Sequence, residues 1–407
     1  MRSRLTIFTI LLLLSTTVGA QEYYYNLKFQ LSPKNFADTI PIEVENGRIY
    51  LPVTIDGETH RFLLDTGASM GAVYAGSPTA SDGSLHSKAS QGPSVPVGTI
   101  TSHDATGQTR STEVVRLPDL HIGRLTVSGY HASLLPPPPT FNPSPKPAGI
   151  IGFDIFNKGL LGKIDTRSQQ LILTDRKNHF RREQGYETRY VLQRHVPYAI
   201  LYPFGWFEER VRFDTGDRSL YTMSRRSFDA AFSDFPADVE RQVEGRAHGR
   251  QRISHFGAES TDEVVALCLR SLRWGDLAFR NVHTLTAQGP SAVGSAILDY
   301  GTVIINPCRR RLVFQPYAGG SPCLVDNRLP DIYYIPDSHG LPAVSLVWED
   351  SEPYRQGFRQ GDVITAVNGT PVKSVADFIG YPFVANQTYT ITVRDKHGSI
   401  RQLKLTK

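Results

Sequence analysis

Two short stretches of the chain carry carboxylates in a setting suited to chemistry. Asp65-Thr66-Gly67 follows the apolar residues 62–64. Asp214-Thr215-Gly216 follows residues 211–213, in which two apolar residues flank an arginine. An apolar strand can carry a carboxylate out of a protein core, and glycine allows a tight turn directly after it. If the two strands end face to face, the two carboxylates share one proton and can act as acid and base toward one water molecule. That is the chemistry of amide hydrolysis without a metal or a covalent nucleophile.

The surroundings of the two aspartates repeat as well. Each is followed by an apolar-apolar-Gly signature, Ile150-Ile151-Gly152 in the first half and Ala292-Val293-Gly294 in the second, and each half ends in an apolar hairpin. An internal repeat of this length predicts two similar β lobes in one chain. The dyad would then form within a monomer, and a homodimer that pairs equivalent lobes of two chains is the alternative.

These motifs together resemble the aspartic peptidases of the pepsin and retroviral type. The resemblance implies an all-β fold with two similar β-barrel lobes, at residues 21–178 and 179–318, and it implies no cofactor and no metal. Asp65 and Asp214 would share the catalytic proton. Their neighbours would have supporting roles: threonines that lock the two loops by hydrogen bonds, and glycines that let the loops approach closely, namely Thr66, Thr215, Gly67 and Gly216.

The second copy departs from the resembled pattern. Ala68-Ser69 fits the retroviral version of the motif, but Asp217-Arg218 stands where a small or hydroxyl residue is expected. An extra carboxylate near the dyad raises its proton affinity unless Arg218 neutralises it. Two functions follow: an active peptidase with a shifted pH optimum, and a catalytically inactive peptide-binding protein that retains the fold.

A flap is the next expected element. In the resembled family a hairpin closes over the substrate between the Asp-Thr-Gly loop and the glycine signature. Ala105-Thr106-Gly107 is the candidate here, with an ordinary surface loop as the alternative, and Ser254-His255-Phe256-Gly257 is its echo in the second half. The proline-rich residues 136–147 predict an exposed, stiff loop within the first lobe.

The C-terminal part has a different pattern. A linker is predicted at residues 319–330, and residues 361–369 resemble the Gly-Asp-x-Ile-x-x-x-Asn-Gly core of PDZ domains. The resemblance covers about residues 331–407 and implies a small PDZ-like α+β domain. Such a domain adds a peptide strand to its sheet edge and holds the peptide carboxylate in a backbone nest. Residues 338–341 are the candidate nest.

The N-terminus is typical of a secretory signal peptide at residues 1–20. It has a charged start, an apolar run that is short for a membrane span, and small residues before a cleavage site after Ala20. An uncut membrane anchor is the alternative. Gln21, rather than cysteine, argues against bacterial lipidation. The mature protein is therefore expected in the periplasm or outside the cell, without a stable membrane span.

Charge and reactive side chains restrict the remaining classes. The 407 residues carry a formal net charge of +5, and the short arginine clusters lack interleaved aromatics, so no nucleic-acid partner is predicted. Three histidines lack metal-ligand spacing and are expected to be surface or structural residues: His103, His195 and His255. Cys268 lies in an apolar run and is predicted in the core, while Cys308 and Cys323 form either one disulfide or two free thiols.

The sequence therefore predicts an exported aspartic endopeptidase. It would hydrolyse peptide bonds of extended peptide or protein segments held between the lobes, with water activated by Asp65 and Asp214. The PDZ-like domain would recruit or regulate the substrate, or bind a peptide ligand of its own.

Overall fold

The computed structural model describes residues 22–77, 95–104, 106–136, 146–254 and 256–407. Within these residues the chain is mostly β with short helices, which confirms the all-β prediction. The predicted signal peptide, Ala105, His255 and most of the proline-rich stretch lie outside the described residues. No helix of the described part is long and apolar enough to cross a membrane.

The first half of the chain forms one open sheet and contributes to a second. Its elements are β1 (Gln30–Ser32), β2 (Ala37–Pro41), β3 (Glu43–Glu45), β4 (Arg48–Ile55), β5 (Glu58–Leu64), β6 (Ala72–Tyr74), β7 (Val95–His103), β8 (Thr109–Arg116), β9 (Leu120–Ile122), β10 (Leu125–Ser128), β11 (His131–Leu135), β12 (Gly149–Ile151), α1 (Asp154–Asn157), β13 (Leu161–Asp165) and β14 (Gln170–Thr174). The open sheet has the strand order β1-β10-β9-β4-β5-β12-β6-β11-β8-β7, with β3 beside β4.

The second half repeats this arrangement with additions. Its elements are β15 (Tyr186–Gln193), β16 (Val196–Pro203), β17 (Glu209–Asp214), β18 (Tyr221–Ser224), α2 (Arg225–Asp234), α3 (Pro236–Glu240), β19 (Val243–Gly249), β20 (Ile253–Ser254), β21 (Gly257–Ala258), β22 (Asp262–Leu269), β23 (Leu272–Trp274), β24 (Leu277–Arg280), β25 (Val282–Ala287), β26 (Ala292–Gly294), a 3-10 helix (Ser295–Asp299), β27 (Gly301–Asn306) and β28 (Arg311–Pro316). The order β17-β26-β18-β25-β22-β19 matches β5-β12-β6-β11-β8-β7 of the first half strand for strand.

A shared sheet joins the two halves. The strands β2, β14 and β13 of the first half continue into β27, β28 and β15 of the second, and β13 pairs antiparallel with β27 at the centre, where Ile164 lies opposite Val303. Both residues are fully buried in a hydrophobic core that runs through the two halves. The two lobes are therefore joined by continuous backbone hydrogen bonding and by a common core.

The C-terminal part has its own sheet and core. Its elements are β29 (Cys323–Leu324), β30 (Ile332–Pro336), β31 (Pro342–Val347), α4 (Glu352–Arg355), β32 (Val363–Val367), β33 (Thr370–Pro371), α5 (Val375–Ile379), β34 (Thr388–Arg394) and β35 (Ile400–Thr406). The sheet order is β30-β31-β32-β34-β35, around a core that includes Phe358, Ile364 and Ile391. β29 lies within the predicted linker but pairs in parallel with β24 of the second lobe, with Cys323 opposite Phe279.

The C-terminal domain docks on the second lobe. Leu346 of β31 is fully buried and packs with Val264 and Leu285 of the lobe rather than with its own domain core. The amide of Arg250 donates to Ser345 O over 3.1 Å. A Cβ at Gly249 would lie 2.5 Å from the same carbonyl oxygen, so glycine permits this close approach. The domain thus rests on β19.

The candidate carboxylate nest at residues 338–341 is wrong. The segment forms the turn between β30 and β31, and three of its amides are occupied internally: Asp337 Oδ1 accepts from the backbone N–H groups of His339 and Leu341, and Asp337 O accepts from Gly340. A nest must offer free N–H groups to a carboxylate, and the side chain of Asp337 takes that place here.

Replacing Leu346 with aspartate is expected to undock the C-terminal domain, because the buried contact would have to accommodate a charge. Amide hydrogen exchange in residues 243–250 should speed up by about tenfold while the domain core, residues 358–393, keeps its protection. Ile400→Asp, at a position 62% exposed on β35, is the matched control. Unchanged exchange in Leu346→Asp would contradict the docking contact.

Candidate active site

The two Asp-Thr-Gly loops are locked together by four hydrogen bonds. Each threonine hydroxyl accepts from the other threonine's amide, at 3.1 Å for the Thr66 amide and 3.0 Å for that of Thr215. Each hydroxyl also donates across to the opposite strand, from Thr66 to Phe213 O at 2.8 Å and from Thr215 to Leu64 O at 2.7 Å. All these groups are buried, so each bond is shielded from competing water.

The lock brings the two carboxylates into contact. The amide of Gly67 donates to Asp65 Oδ1 at 2.9 Å, and the amide of Gly216 donates to Asp214 Oδ1 at 3.1 Å. A Cβ at Gly67 would lie 2.4 Å from Asp214 Oδ1, and one at Gly216 would lie 2.6 Å from Asp65 Oδ2. Each glycine therefore leaves the space that the opposite aspartate occupies.

The two signature strands hold the aspartate-bearing strands from behind. β12 runs parallel to β5, with Ile151 opposite Leu64, and β26 runs parallel to β17, with Gly294 opposite Asp214. The fully buried side chains of the signatures fix these strands in the core: Ile151, Val293 and Ala292, with Ile150 at 3% exposure. A Cβ at Gly152 would lie 2.8 Å from Met70 O, and one at Gly294 2.3 Å from Ser219 O.

The carboxylate of Asp65 has a strong affinity for a proton. Burial raises its pKa first, and the charge of Asp214 together with the hydrogen bond between the two raises it further, to about 8. The positive charge of Arg212 and the amide of Gly67 act in the opposite direction without cancelling the rise. At neutral pH the dyad therefore retains one proton.

Arg212 is a site residue that sequence reasoning missed. Its Nη2 lies 2.8 Å from Asp214 Oδ2, and its side chain is only 10% exposed. The signal was available, since residues two apart in a strand point to the same face and Arg212 stands two before Asp214. The guanidinium therefore places a positive charge against Asp214 and makes the two sides of the dyad unequal.

Asp217 is neutralised by a residue other than the neighbouring Arg218. Arg252, from the segment that follows β19, forms a buried ion pair with Asp217. Burial alone would raise the pKa of Asp217, but Arg252 and the amide and hydroxyl of Ser219 outweigh it and hold that pKa below its usual value. Asp217 is thus an anion with its own counterion. The rise in the pKa of Asp65 comes from burial and from Asp214, and Asp217 is not among its causes.

Two hairpin tips meet near the dyad, since Phe256 of the second tip packs against Leu63 and Ala68 on either side of Asp65 in the sequence. The first tip lies between β7 and β8 and contains Asp104 and residues 106–108, with Thr106 and Gly107 of the candidate flap. The second is the β20–β21 hairpin, at the equivalent place between β19 and β22. Gln108 Nε2 donates to Ala258 O at 2.8 Å, and the amide of Phe256 donates to Asp104 Oδ2 at 3.1 Å. Each lobe thus contributes one tip to the cover.

Phe256 crosses from the second tip into the first lobe. Its ring is 6% exposed and packs in a cluster of apolar side chains near Asp65. The first-lobe members of this cluster are Tyr50, Leu63, Ala72, Tyr74, Leu135 and Ile150, with Ala68 beside them. The cleft therefore has an apolar wall on the side of the first lobe.

The predicted roles of histidine and cysteine are only partly matched. His103 is exposed, and His195 stacks on Tyr25 with 3.8 Å between ring centroids. Cys308 and Cys323 are free thiols. Cys268 is half-buried rather than in the core, because β22 turns its other face, with Leu267 and Leu269, to the interior.

One group of described residues has donor atoms suited to a metal ion: Glu244, Cys268 and His283, on three neighbouring strands of the second lobe. His283 Nδ1 lies 2.7 Å from Glu244 Oε2, and its Nε2 lies 3.8 Å from Cys268 Sγ. Both imidazole nitrogens therefore have polar partners within the group itself. It lies on β19, β22 and β25 and not among the dyad residues.

Comparison with known proteins agrees with this geometry in the first half of the chain. Residues 51–155 match the family model described as aspartyl protease. The matched stretch contains Asp65-Thr66-Gly67 and Ile150-Ile151-Gly152 but ends before the second copy. No curated protein matches the chain.

Two solved structures are similar over most of the chain. Basic 7S globulin from soybean is 13% identical, with a TM-score of 0.39, and the alignment covers 72% of this chain and 98% of that one. Conglutin gamma, a basic 7S globulin from lupine seeds, is 12% identical, with a TM-score of 0.41, and the alignment covers 69% of this chain and 95% of that one.

Thr66→Val is expected to lower the free energy of unfolding by about 1–3 kcal/mol, because it leaves the Thr215 amide and the Phe213 carbonyl buried without partners. Thr66→Ser keeps the hydroxyl and should lose less. Urea unfolding measures both variants. A loss in Thr66→Ser with none in Thr66→Val would show that methyl packing, rather than the hydrogen bonds, stabilises the loops.

The raised pKa of Asp65 predicts how stability depends on pH. The native state keeps a proton that the unfolded chain releases near the ordinary value of 3.8. This stabilising contribution is fully present below that value and is lost as the pH rises through about 8. Asp65→Asn should therefore show a smaller fall in melting temperature between pH 4 and 8 than the wild type. Asp154, whose pKa burial raises to about 7, should keep part of the fall. Parallel curves would contradict the assignment.

Proposed function

We propose that this protein is an aspartic endopeptidase that hydrolyses peptide bonds in extended segments held between its two lobes. The contact between Asp65 and Asp214, fixed by the reciprocal threonine hydrogen bonds, is the observation that supports the proposal. A pair that retains one proton at neutral pH offers an acid and a base within reach of the same water molecule.

The asymmetry of the dyad gives each aspartate a role in the proposed mechanism. Asp214, with its charge stabilised by Arg212, takes a proton from water as the water oxygen attacks the peptide carbonyl carbon. Asp65 donates its proton to the carbonyl oxygen, which gives a neutral tetrahedral diol. The C–N bond then breaks as the nitrogen receives a proton from Asp214, and a diol proton returns to Asp65.

The cover of the cleft fits an extended substrate. A peptide would pass beneath the two tips, so the contacts of Gln108 with Ala258 and of Phe256 with Asp104 must open for it to enter. Opening separates exposed or half-buried polar contacts, which cost little in water, and withdraws the buried ring of Phe256 from the first lobe. An apolar side chain of the substrate can take the place of that ring and offset the cost. Closure around the peptide then excludes water from the reacting bond.

We propose that the C-terminal domain is PDZ-like and regulates this opening. β30 lies at one edge of its sheet, where a peptide strand can be added. The Gly361-Asp362 part of the motif is tied down, with Asp362 buried and bonded to Arg401 and to the Arg359 amide. Because β31 contacts Arg250, at the start of the second tip, a ligand on the domain has a short route to the cover. Export to the periplasm or the medium, and action as a monomer, belong to the same proposal.

Cleavage of a peptide library by residues 21–407 tests the proposal. We expect activity at neutral pH that falls as the pH rises through about 8, since Asp65 must keep its proton. Asp65→Asn and Asp214→Asn should each lower kcat/KM by at least about a thousandfold, because neither carboxylate can serve both roles.

The outcome separates this function from the alternative. A folded protein that binds peptides but cleaves none at any pH between 3 and 9 would be the inactive binding protein. Activity that survives either single substitution would exclude the shared dyad, and loss of activity on dilution would indicate a homodimer.

A further inference from the structure

The repeat places different residues at the equivalent positions beside the dyad. Leu63 stands two residues before Asp65, and Arg212 stands two residues before Asp214, each on the same strand face as its aspartate. Leu63 belongs to the apolar cluster that receives Phe256. Arg212 Nη2 makes the ion contact with Asp214 Oδ2, but neither this atom nor the buried Nε forms a hydrogen bond with a described residue. The cleft is thus apolar on one side of the dyad and cationic on the other.

Two more arginines extend the cationic side. Arg48, at the start of β4, has a buried Nε without a hydrogen bond in the described part of the chain. Its charge acts on Arg218, an exposed arginine of the second Asp-Thr-Gly loop. The β3–β4 turn brings them together, since a Cβ at Gly47 would lie 3.7 Å from Arg218 Cγ. Tyr74, in turn, is within electrostatic reach of both Asp65 and Arg48.

The local charges do not balance. Arg212 shares Asp214 with the dyad, and Arg252 is paired with Asp217, which leaves Arg48 and Arg218 without an ion pair among the described residues. The buried N–H groups of Arg48 and Arg212 that lack a hydrogen bond lower their free energy when a carboxylate is added, because a carboxylate accepts two parallel N–H bonds. Arg218 is exposed and adds a positive charge to the same side. Repulsion between Arg48 and Arg218 increases that gain.

We propose that the cleft selects peptides with a carboxylate side chain, aspartate or glutamate, on the Arg48, Arg212 and Arg218 side of the cleaved bond and a large apolar residue on the Leu63 side. This inference rests on the proposed function for the cleaved bond, but the binding preference stands apart from it. The aromatic ring of Phe256 against Leu63 and Tyr50 shows the size of side chain that the apolar wall accepts.

Binding is measured first, with the variant Asp65→Asn and fluorescently labelled peptides that carry Phe-Asp, Phe-Asn or Phe-Leu at their centre. We expect the Phe-Asp peptide to bind about 10–100-fold more tightly than its Phe-Asn match, which differs only in charge. Asp-Phe and Asn-Phe peptides show which side of the bond carries the acid. Cleavage of the same peptides by the wild type then gives the ratio of kcat/KM.

Variants assign the preference to the arginines. Arg48→Gln and Arg218→Gln should each reduce the Phe-Asp over Phe-Asn ratio about threefold to tenfold, because each removes one charge that no carboxylate neutralises. Arg212→Leu places in the second lobe the leucine that the first lobe has at the equivalent position, Leu63. This variant should prefer the Phe-Leu peptide, even if its overall rate of cleavage changes. Arg226→Gln, at an exposed position on α2, is the matched control and should leave the ratio unchanged.

The two proposals fail in different ways. Cleavage of all peptides at similar rates, or ratios unaffected by Arg48→Gln and Arg218→Gln, would overturn the acidic preference and leave the peptidase intact. Tight and selective binding of Phe-Asp without cleavage would support the preference and overturn the peptidase. Tighter binding of Phe-Leu than of Phe-Asp by the protein with all its arginines would also overturn the preference.

Discussion

The reciprocal hydrogen bonds of Thr66 and Thr215 are the constraint on which the site depends. Two carboxylates in contact, one half-buried and one buried, repel each other and lose hydration, so their contact costs free energy that the surrounding structure must supply. The threonine bonds, the close-fitting glycines and the buried signature strands supply it locally, and the shared central sheet does so between the lobes. A raised pKa of Asp65 is the consequence, and the same property allows an acid and a base to coexist.

The two lobes place different residues beside the two aspartates. The backbone frame repeats strand for strand, yet Leu63 and Arg212 stand at equivalent positions, as do Ala68 and Asp217. Because a guanidinium lies against only one of the carboxylates, the proton and the charge of the dyad have different preferred places. A duplicated fold in a single chain allows this, whereas two identical chains around a symmetry axis would place the same residue on both sides.

The cover of the cleft joins the site to the rest of the molecule. The tips of the two hairpins touch each other, and the second tip follows Arg252, the counterion of Asp217, and connects β19 to β22, which form part of the docking surface for Leu346. Movement of this hairpin would therefore alter the cover, an ion pair beside the dyad and the contact with the C-terminal domain together. The second tip, Arg252 and much of the docking surface are contiguous with β19 and β22, which gives these contacts a common physical basis for coupling.

The sequence by itself determined the features that depend on residues close together in the chain. Asp-Thr-Gly after an apolar strand, the glycine signatures and the repeat defined the all-β class and identified the residues that the structure brings together, because strand alternation and glycine turns depend on near neighbours. The tertiary structure alone decided which residues meet across the fold. Arg252 rather than Arg218 pairs with Asp217, Asp337 fills the supposed nest, Cys268 faces away from the core, and the two hairpin tips meet. Such contacts join residues far apart in the chain, and their partners are set by packing between strands and lobes rather than by spacing in the sequence.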